Sequence, residues 1–283
     1  MSSSASPQDT NATDAIAFVG GGNMARSLIG GLVARGRDPA SIQVAEPNES
    51  LRAALVADFG VIAHADNAEA VTTAHTWVFA VKPQVMKSVC QALAPIAQSR
   101  RPMILSIAAG ITGEQLDRWL GGGLAVVRSM PNTPALLGAG ATGLHANARV
   151  TKSQRHVAES LMQATGITEW IDDERLMHAV TALSGSGPAY VFLLAEAMQA
   201  AGEAQGLPPE SARKLALQTI LGAARMLTES GEPAAVLRQR VTSPNGTTQA
   251  ALESFEAGGF RALVDQAVSA ATRRGRELSA AND

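Results

Sequence analysis

A glycine-rich turn near the start of the chain has the residue types and spacing to bind a phosphate group. An apolar run that begins at Ala15 ends on the segment GGGNMA, residues 20–25, after which the pattern becomes helical. Gly20 permits a tight turn, Gly22 lets the backbone approach a pyrophosphate, and the small Ala25 lets the helix pack close to the strand. Free N–H groups at the helix start would face the phosphates. The spacing indicates a dinucleotide-binding turn between a strand and a helix.

Short apolar segments that alternate with helical stretches surround this turn. They are Ile42–Ala45, Thr76–Val81, Met103–Ile107 and Ala125–Met130. Such alternation predicts a parallel, doubly wound sheet of the Rossmann type. Ligands of these sheets lie across the carboxyl ends of the strands. The predicted cofactor site therefore consists of the loops Gly20–Met24, Glu46–Asn48, Lys82–Gln84 and Ala108–Gly110.

Helix signals divide the chain into two predicted domains. The spacings Thr112-x-x-Gln115 and Thr151-x-x-Gln154 predict capping boxes at the starts of two helices. After Asp172 the pattern changes to consecutive helices, predicted at Glu174–Ala182, Gly187–Gln205, Pro209–Thr228, Ala234–Arg240, Thr247–Ala257 and from Phe260 to near the end. We therefore predict a dinucleotide-binding α/β domain over residues 15–172 and an all-helical domain over residues 173–283. Its many alanines permit close helix packing, and we expect some helices to bury a face against a second subunit.

Composition excludes several classes of protein. The 283 residues suffice for two domains, and a net charge of -2 with scattered Lys and Arg gives no electrostatic footprint for nucleic acid. No grouping of Cys and His has the spacing of a zinc site. The single cysteine, Cys90, lies in the helical stretch Met86–Ala97, and we predict it to be a buried core residue.

Neither the N-terminal segment nor the most apolar helix has the sequence features of a membrane protein. Residues 1–14 are polar and Ser-rich near their start, without the basic start and apolar core of a secretory signal, so we predict a disordered tail. The most apolar helix, around Tyr190–Ala201, contains Glu196 and is flanked by Gly187 and Gly202. It is too short and too polar to cross a bilayer. We expect a cytoplasmic protein without a membrane partner.

Three further strings are unusual in composition. They are MPNTP at residues 130–134, SGSGPAY at 184–190 and VTSPNGTT at 241–248. Each is also compatible with an ordinary Pro- and Gly-containing loop, and Ser186 could simply cap a helix whose first residues include Pro188. The third string differs because it places hydroxyls and unpaired backbone N–H groups at one helix start, in Ser243, Gly246, Thr247 and Thr248. That arrangement suits a carboxylate.

Taken in order, the motifs make a specific resemblance. They are FVGGGNMA, AVKPQ, SIAAG, RSMPNTPA, SGSGPAYVF and VTSPNGTT, the last followed by ALESFEAGGFRALV. Over nearly everything from Ala15 to Leu278 the chain resembles the pyrroline-5-carboxylate reductase family. That family reduces the C=N bond of a five-membered cyclic imine acid with hydride from a nicotinamide cofactor, without metal. The resemblance therefore implies a small-molecule substrate and an interleaved homodimer, with a decamer as the larger assembly.

The resemblance also implies which residues bind the nicotinamide cofactor. Those lining the pyrophosphate would be Gly20, Gly22, Asn23 and Met24; those lining the cleft would be Val81, Lys82 and Pro83, with Ala108 and Ala109 beside the nicotinamide. Asn67 would contact the adenosine side. Two alternatives stay open: Lys82 as an exposed loop lysine, and Asn67 as the N-cap of the helix that follows it.

For the substrate, the resemblance implies that Ser243 and the backbone of Gly246 and Thr247 hold the carboxylate. Thr248 would donate a hydrogen bond to the imine nitrogen, as the catalytic residue. Hydride attack converts a cationic C=N into a neutral amine, so orientation and a dry cleft matter more than an acid–base pair. A threonine hydroxyl is too weak an acid to protonate the amine fully, so the proton would arrive before binding or through water. The five histidines lie outside these motifs, and we assign them structural or surface roles.

Glu46 leaves the choice between NADH and NADPH open. Members of the family that favour NADPH tend to have a small hydroxyl residue at this position, the end of the second predicted strand. A carboxylate there suits the free 2′-hydroxyl of NADH and would repel a 2′-phosphate. No arginine is expected beside it, since Arg52, the nearest, lies about a turn and a half further on if Ser50 opens a helix. Asn245 replaces a glycine of many relatives, but Asn tolerates positive φ.

Two other functions share parts of this pattern. A β-hydroxyacid dehydrogenase also combines a Rossmann domain with a helical domain, but it requires a lysine one turn from an asparagine. Lys214 is the only lysine after Lys152, and Gln218 lies four positions further on. A non-catalytic dinucleotide-binding protein would retain the glycine turn, but it would have no need for the hydroxyls around Ser243.

Overall fold

The computed structural model describes residues 15–282, so the tail predicted over residues 1–14 lies outside the described residues. The described chain forms two compact units. The first contains the residues up to Gly185 together with those from Ala271 onward, and the second is Ser186–Ala270. The functional domain boundary after residue 172 stays a prediction.

One mixed sheet forms the centre of the first unit. Within residues 15–282 its strands are β1 (Ile16–Val19), β2 (Ile42–Ala45), β3 (Ile62–His64), β4 (Thr76–Phe79), β5 (Met103–Ser106), β6 (Ala125–Met130), β7 (Gly140–Ala146) and β8 (Gly166–Trp170). Their order is β3-β2-β1-β4-β5-β6-β7-β8. The strands from β3 to β6 are parallel, which confirms the doubly wound Rossmann-type fold.

The sheet departs from the parallel prediction at β7, which runs antiparallel to β6. The link between these strands is short and contains a 3₁₀ turn at Thr133–Leu137 that ends on Gly138 in the left-handed conformation. Such a link allows reversal but not a parallel crossover, which needs a dozen or more residues. The strand β8 then pairs parallel to β7 after a helix.

The helices of the first unit alternate with the parallel strands. They are α1 (Asn23–Ala34), α2 (Glu49–Phe59), α3 (Asn67–Val71), α4 (Pro83–Arg100), α5 (Gly113–Trp119), α6 (Lys152–Gln163) and α7 (Met177–Val180). Both predicted capping boxes are confirmed. The Thr112 hydroxyl accepts the Gln115 N–H before α5, and the Thr151 hydroxyl accepts the Gln154 N–H before α6.

Two apolar clusters of described residues cover the faces of the sheet. Alternate side chains of a strand point to opposite faces, so Ile16 and Phe18 join one cluster while Ala17 and Val19 join the other. Cys90 on α4 belongs to the second cluster and is fully buried, as predicted. Burial raises the pKa of its thiol to about 12, so the folded protein holds it as an unreactive thiol.

Helices alone form the second unit. They are α8 (Gly187–Ala204), α9 (Pro209–Glu229), α10 (Ala234–Arg240), α11 (Thr247–Ala257) and α12 (Phe260–Ala281), of which α12 ends in the first unit. The predicted bounds of α10 and α11 agree with the structure. The helix predicted at Glu174–Ala182 is instead a 3₁₀ turn, the short α7 and a π-helical segment at Thr181–Gly185. None of the helices described between residues 15 and 282 has the length and apolarity needed to cross a membrane.

Candidate functional site

The predicted cofactor loops follow four neighbouring parallel strands. The order β2-β1-β4-β5 is contiguous in the sheet, and the paired registers place the ends of these strands level with one another. The loops that begin at Gly20, Glu46, Ala80 and Ile107 therefore open at the same edge. This edge includes the point where the strand order reverses, between β1 and β4, which is where ligands of such sheets bind.

The glycine turn after β1 has space and free donors for an anion. Gly20 has a φ of 103°, and a Cβ there would lie 2.9 Å from the Ala80 carbonyl atoms, so only glycine fits. At Gly22 a Cβ would meet no atom of the described chain within 4 Å. Gly22 is the N-cap of α1, and no described side chain caps the helix, so its first N–H groups are available. These residues fit a pyrophosphate.

The carboxylate of Glu46 accepts hydrogen bonds from the backbone of the glycine turn and of its own loop. Its side chain is buried, with the residue only 8% exposed; Oε2 accepts the Gly21 N–H at 3.0 Å and Oε1 accepts the Asn48 N–H at 2.9 Å. The carboxylate therefore joins the glycine turn to the loop after β2. Each carboxylate oxygen retains a lone pair, so these bonds leave acceptor capacity for a ribose hydroxyl.

The expectation that no arginine lies beside Glu46 is wrong. Nη1 of Arg52 donates to the carbonyl oxygen of Glu46 at 2.8 Å and to that of Pro47 at 3.2 Å. The helix α2 begins at Glu49 rather than at Ser50, with Asn48 as its N-cap, and the Arg52 side chain reaches back from it to the end of β2. A positive charge therefore accompanies the carboxylate at this position.

The structure decides whether Asn67 is an N-cap and shows how exposed Lys82 is. The N-cap of α3 is Asp66, whose carboxylate accepts the N–H groups of Ala68 and Glu69. Asn67 is therefore the first helical residue, and its alternative assignment as the N-cap is wrong. Lys82 is exposed and is itself the N-cap of α4, with the half-buried Val81 and Pro83 on either side.

The loop after β5 is held by hydrogen bonds at its start. The Ser106 hydroxyl accepts the Ala108 N–H at 3.3 Å, and the Ser106 carbonyl accepts the hydroxyl of Ser129 at 2.8 Å. Ala108 is buried and Ala109 is half-buried. Small side chains at both positions leave the backbone as the surface that a cofactor ring would meet.

The string that ends at Thr248 leads into a second helix start without a side-chain cap, within the second unit. Gly246 is the N-cap of α11, and no described side chain caps this helix. Ser243 is joined to it through a tight turn, in which the Gly246 N–H donates to the Ser243 carbonyl at 3.0 Å. Asn245 has a φ of 58°, which confirms that asparagine takes the left-handed conformation here. Free N–H groups and hydroxyls thus meet at the helix start.

Sequence reasoning missed how the other two strings join. The Asn132 side chain donates to the Ser184 carbonyl at 3.0 Å and accepts the Ala141 N–H at 2.9 Å. A Cβ on Gly185 would lie 2.7 Å from the Met130 methyl carbon. Asparagine between two prolines was the available signal, because its amide can satisfy two backbone groups at once. Ser186 occupies the N-cap position of α8, but its hydroxyl makes no capping hydrogen bond there.

A partly buried ion pair joins β6 to the 3₁₀ turn Glu174–Leu176. Arg128 on β6 is buried, its Nη1 lies 3.3 Å from Oε1 of Glu174, and the same oxygen accepts the Gly113 N–H at 2.6 Å. The pKa of His178 is lowered by burial first and then by the charges of Arg128 and Arg276. These causes favour the neutral form of this histidine.

The sheet order, the glycine turn and the helical second unit define a Rossmann-type oxidoreductase. Residues 15–110 match the family described as NADP oxidoreductase coenzyme F420-dependent, and residues 174–278 match the family described as pyrroline-5-carboxylate reductase dimerisation. A pyrroline-5-carboxylate reductase from Pseudomonas aeruginosa is 54% identical over 267 residues, which are 94% of this chain and 97% of that protein. The chain belongs to the pyrroline-5-carboxylate reductase family.

Solved structures agree with this assignment. The fold is similar to a pyrroline-5-carboxylate reductase from Coxiella burnetii, with a TM-score of 0.91 and 44% identity over 94% of this chain and 99% of that one. It is also similar to pyrroline carboxylate reductase from Plasmodium falciparum, solved with NADP bound, with a TM-score of 0.82 and 29% identity over 94% and 98% of the two chains.

Proposed function

We propose that this protein reduces the C=N bond of 1-pyrroline-5-carboxylate to give L-proline, with hydride from NADH or NADPH, as the last step of proline biosynthesis. The observation that supports this most strongly is the similarity to the Pseudomonas aeruginosa reductase over nearly the whole chain. We further propose that the reaction takes place in the cytoplasm. No metal is part of this proposal, because the hydride step needs no Lewis acid once the imine is protonated.

The proposed cofactor site consists of the loops at the carboxyl edge of the sheet. Gly20, Gly22, Asn23 and Met24 would hold the pyrophosphate, a role that the open space at Gly22 and the uncapped start of α1 support. Asn67 would contact the adenosine side, and Val81, Lys82, Pro83, Ala108 and Ala109 would line the cleft toward the nicotinamide. The reduced nicotinamide supplies the hydride when bound.

The proposed substrate site is the start of α11. Ser243, Gly246 and Thr247 would hold the carboxylate through one hydroxyl and the free N–H groups, which the uncapped helix start supports. Thr248 would donate a hydrogen bond to the lone pair that forms on the ring nitrogen as hydride reaches the carbon, and so orient the C=N bond. This catalytic role is one of positioning, because the hydroxyl is too weak an acid to supply the proton itself.

The two charges at the end of β2 have opposite consequences for cofactor choice. Glu46 favours the free ribose hydroxyls of NADH, whereas the guanidinium of Arg52 would attract a 2′-phosphate. Glu46 is partly occupied by the N–H groups of Gly21 and Asn48, which lowers its hydrogen-bonding capacity toward a ribose. We therefore propose that the enzyme uses both cofactors, with NADH favoured by Glu46.

We also propose a homo-oligomer, at least a dimer and extending to a decamer, whose interface lies after residue 172. The match to a dimerisation family over residues 174–278 supports this. So does the exposure of large apolar side chains on α8, including Phe192 and Leu193, which are 60% and 66% exposed in the single chain.

The decisive experiment is a pair of saturation curves, one with NADH and one with NADPH, on the same cyclic imine acid. The proposal predicts loss of reduced-cofactor absorbance and stoichiometric L-proline with both cofactors, with the higher kcat/KM for NADH. A panel of 3-hydroxy acids in the oxidising direction serves as the control for a β-hydroxyacid dehydrogenase. Turnover of that panel without imine reduction would overturn the proposal, as would dinucleotide binding with no turnover of either substrate.

A further inference from the structure

The C-terminal end of α12 is bonded to the loop after β5. Nδ2 of Asn282 donates to the Gly110 carbonyl at 3.2 Å and to the Leu278 carbonyl at 2.9 Å. Gly110 has a φ of 74°, and a Cβ there would lie 3.4 Å from the Cβ of Leu278. All of these residues belong to the first unit. The loop therefore takes its shape in direct contact with the last turns of the helix.

Gln115 makes a second, buried connection to the same helix end. Its Oε1 accepts the Thr112 N–H at 2.9 Å, which completes the capping box of α5, while its Nε2 donates to the Ser279 carbonyl at 2.9 Å. Gln115 is 5% exposed, so both hydrogen bonds lie out of water, where breaking one leaves an unpaired group. The segment Gly110–Thr112 is thus bonded to α12 at both of its ends.

We propose that the C-terminal end of α12 positions the nicotinamide loop for hydride transfer, with Gln115 and Asn282 as the positioning residues. The inference rests on the proposed function, in which Ala108 and Ala109 lie beside the nicotinamide. Only Gly258 and Gly259 separate α12 from α11 along the chain. Along the chain, α11 therefore starts at the proposed substrate site, and α12, which follows it directly, ends at the proposed nicotinamide loop.

The expected consequence is a selective effect on the rate of the chemical step. Hydride transfer requires the reacting atoms to lie about 3–3.5 Å apart, and a misplacement of about 1 Å can cost on the order of a hundredfold. Gln115 and Asn282 are not among the residues proposed to contact cofactor or substrate. Their loss should lower kcat while the affinity for the dinucleotide, held mainly at the glycine turn, stays nearly constant.

The test compares the wild-type full-length protein with four variants, each carrying a single substitution. Asn282→Ala removes both donors of the side chain, and Asn282→Asp places a carboxylate against two carbonyl oxygens. Gln115→Met removes the buried connection with little change in volume. Gln154→Met is the matched control, because Gln154 completes the same Thr-x-x-Gln box before α6 and, within residues 15–282, its side chain bonds to Thr151 rather than to α12.

For each variant, single-turnover hydride transfer, dinucleotide affinity and amide hydrogen exchange over residues 108–112 are measured. We expect Asn282→Ala to slow hydride transfer about tenfold, Asn282→Asp to slow it more, and exchange of the loop amides to rise, with cofactor affinity within about threefold. Gln154→Met should leave all three unchanged. Should Gln115→Met fail to fold, the Asn282 pair still gives the result.

The inference is overturned if Asn282→Ala transfers hydride at the wild-type rate, if its loop amides exchange as in wild type, or if Gln154→Met causes the same loss. The exchange measurement needs no substrate. An inactive wild-type protein would therefore refute the proposed function, while unaltered exchange in Asn282→Ala would separately refute the positioning role.

Discussion

The two compact units differ in how completely one chain can bury them. The first has an apolar cluster on each face of its sheet, with side chains such as Phe18 and Trp77 fully buried. In the second, Ser186–Ala270, all of which the structure describes, the buried apolar residues are Ala212, Ala216 and Leu237. Not one residue of α8 or α11 is buried in the single chain.

This difference separates the two halves of the proposed reaction. The proposed cofactor loops belong to the unit that one chain buries well, whereas the proposed substrate site belongs to the unit that a second copy would cover in the proposed dimer. Large exposed apolar patches are rare in monomers, which favours a partner on the second unit. Because folded proteins are only marginally stable, loss of that partner should strongly destabilise this unit. We therefore expect cofactor binding and imine reduction to respond differently to the same changes.

The largest expected effect comes from breaking the subunit interface. Leu193→Arg would place an unpaired charge in the proposed interface, at a cost of roughly 3–5 kcal/mol. We expect a monomeric mass by light scattering at micromolar concentration and an activity below the detection limit, with dinucleotide binding retained. Val56→Arg, at a residue on α2 that is 46% exposed, is the control and should keep both mass and activity. An unchanged mass for Leu193→Arg would place the interface elsewhere.

Loss of the Thr248 hydroxyl should affect turnover next most strongly. Thr248→Ala removes one preorganised donor, which typically lowers kcat by a factor on the order of 10²–10³. Steady-state kinetics at saturating cofactor checks this, with Thr242→Ala as the control because the Thr242 hydroxyl donates instead to the Arg238 carbonyl at 2.7 Å. Equal kcat for Thr248→Ala and wild type would remove Thr248 from the mechanism.

Ser243 should act on affinity more than on turnover. Its proposed bond to the substrate carboxylate exists in the ground state and the transition state alike, so Ser243→Ala should raise KM with little change in kcat. A hydrogen bond to a charged group is worth about 1.5–3 kcal/mol, so the rise should be on the order of tenfold to a hundredfold. A fall in kcat at unchanged KM would contradict this role.

Substitutions at Glu46 test the proposed cofactor site in the first unit. A carboxylate about 4 Å from a 2′-phosphate costs on the order of 4 kcal/mol at a surface-like dielectric, and Arg52 offsets part of it. Glu46→Ser should therefore raise the ratio of kcat/KM for NADPH to that for NADH severalfold. It should also weaken the binding of both cofactors, because the hydrogen bond from the Gly21 N–H is lost. Glu46→Gln, which removes the charge and keeps the size, separates the two effects. A ratio that does not rise would place the carboxylate away from the ribose.

The smallest expected effect is at Cys90. Because burial raises the pKa of this thiol to about 12, the native protein should not react with a thiol reagent near neutral pH, and activity should be unchanged after exposure to it. Reaction should follow unfolding in denaturant. Rapid labelling of the folded protein would show that the core of the first unit opens.

The sequence predicted those parts of the fold that local patterns determine. The strands Ile42–Ala45 and Ala125–Met130, the helix Thr247–Ala257 and both capping boxes have the predicted bounds. The strands β3, β7 and β8 were not predicted, since β3 is very short, β7 contains Gly140 and Gly143, and β8 is half exposed. Their pairing depends on distant neighbours rather than on their own composition.

The candidate site shows the same division. The glycine turn and the uncapped start of α11 were visible as spacings, because each is a property of consecutive residues. The bond from Glu46 to Gly21, the return of Arg52 to the end of β2 and the bond from Gln115 to Ser279 were not visible. Each joins residues whose proximity depends on the folded backbone, and a single sequence contains no record of such pairs.

Isotope transfer tests the central claim most directly, that this protein transfers hydride from the nicotinamide cofactor to the C=N carbon of the cyclic imine acid. The wild-type protein is incubated with the cyclic imine acid and reduced cofactor in which deuterium replaces both hydrogens on the nicotinamide carbon from which hydride leaves. The account predicts one deuterium per L-proline, bound to the ring carbon of the former C=N bond. Product without deuterium, or no product with either cofactor, would contradict it.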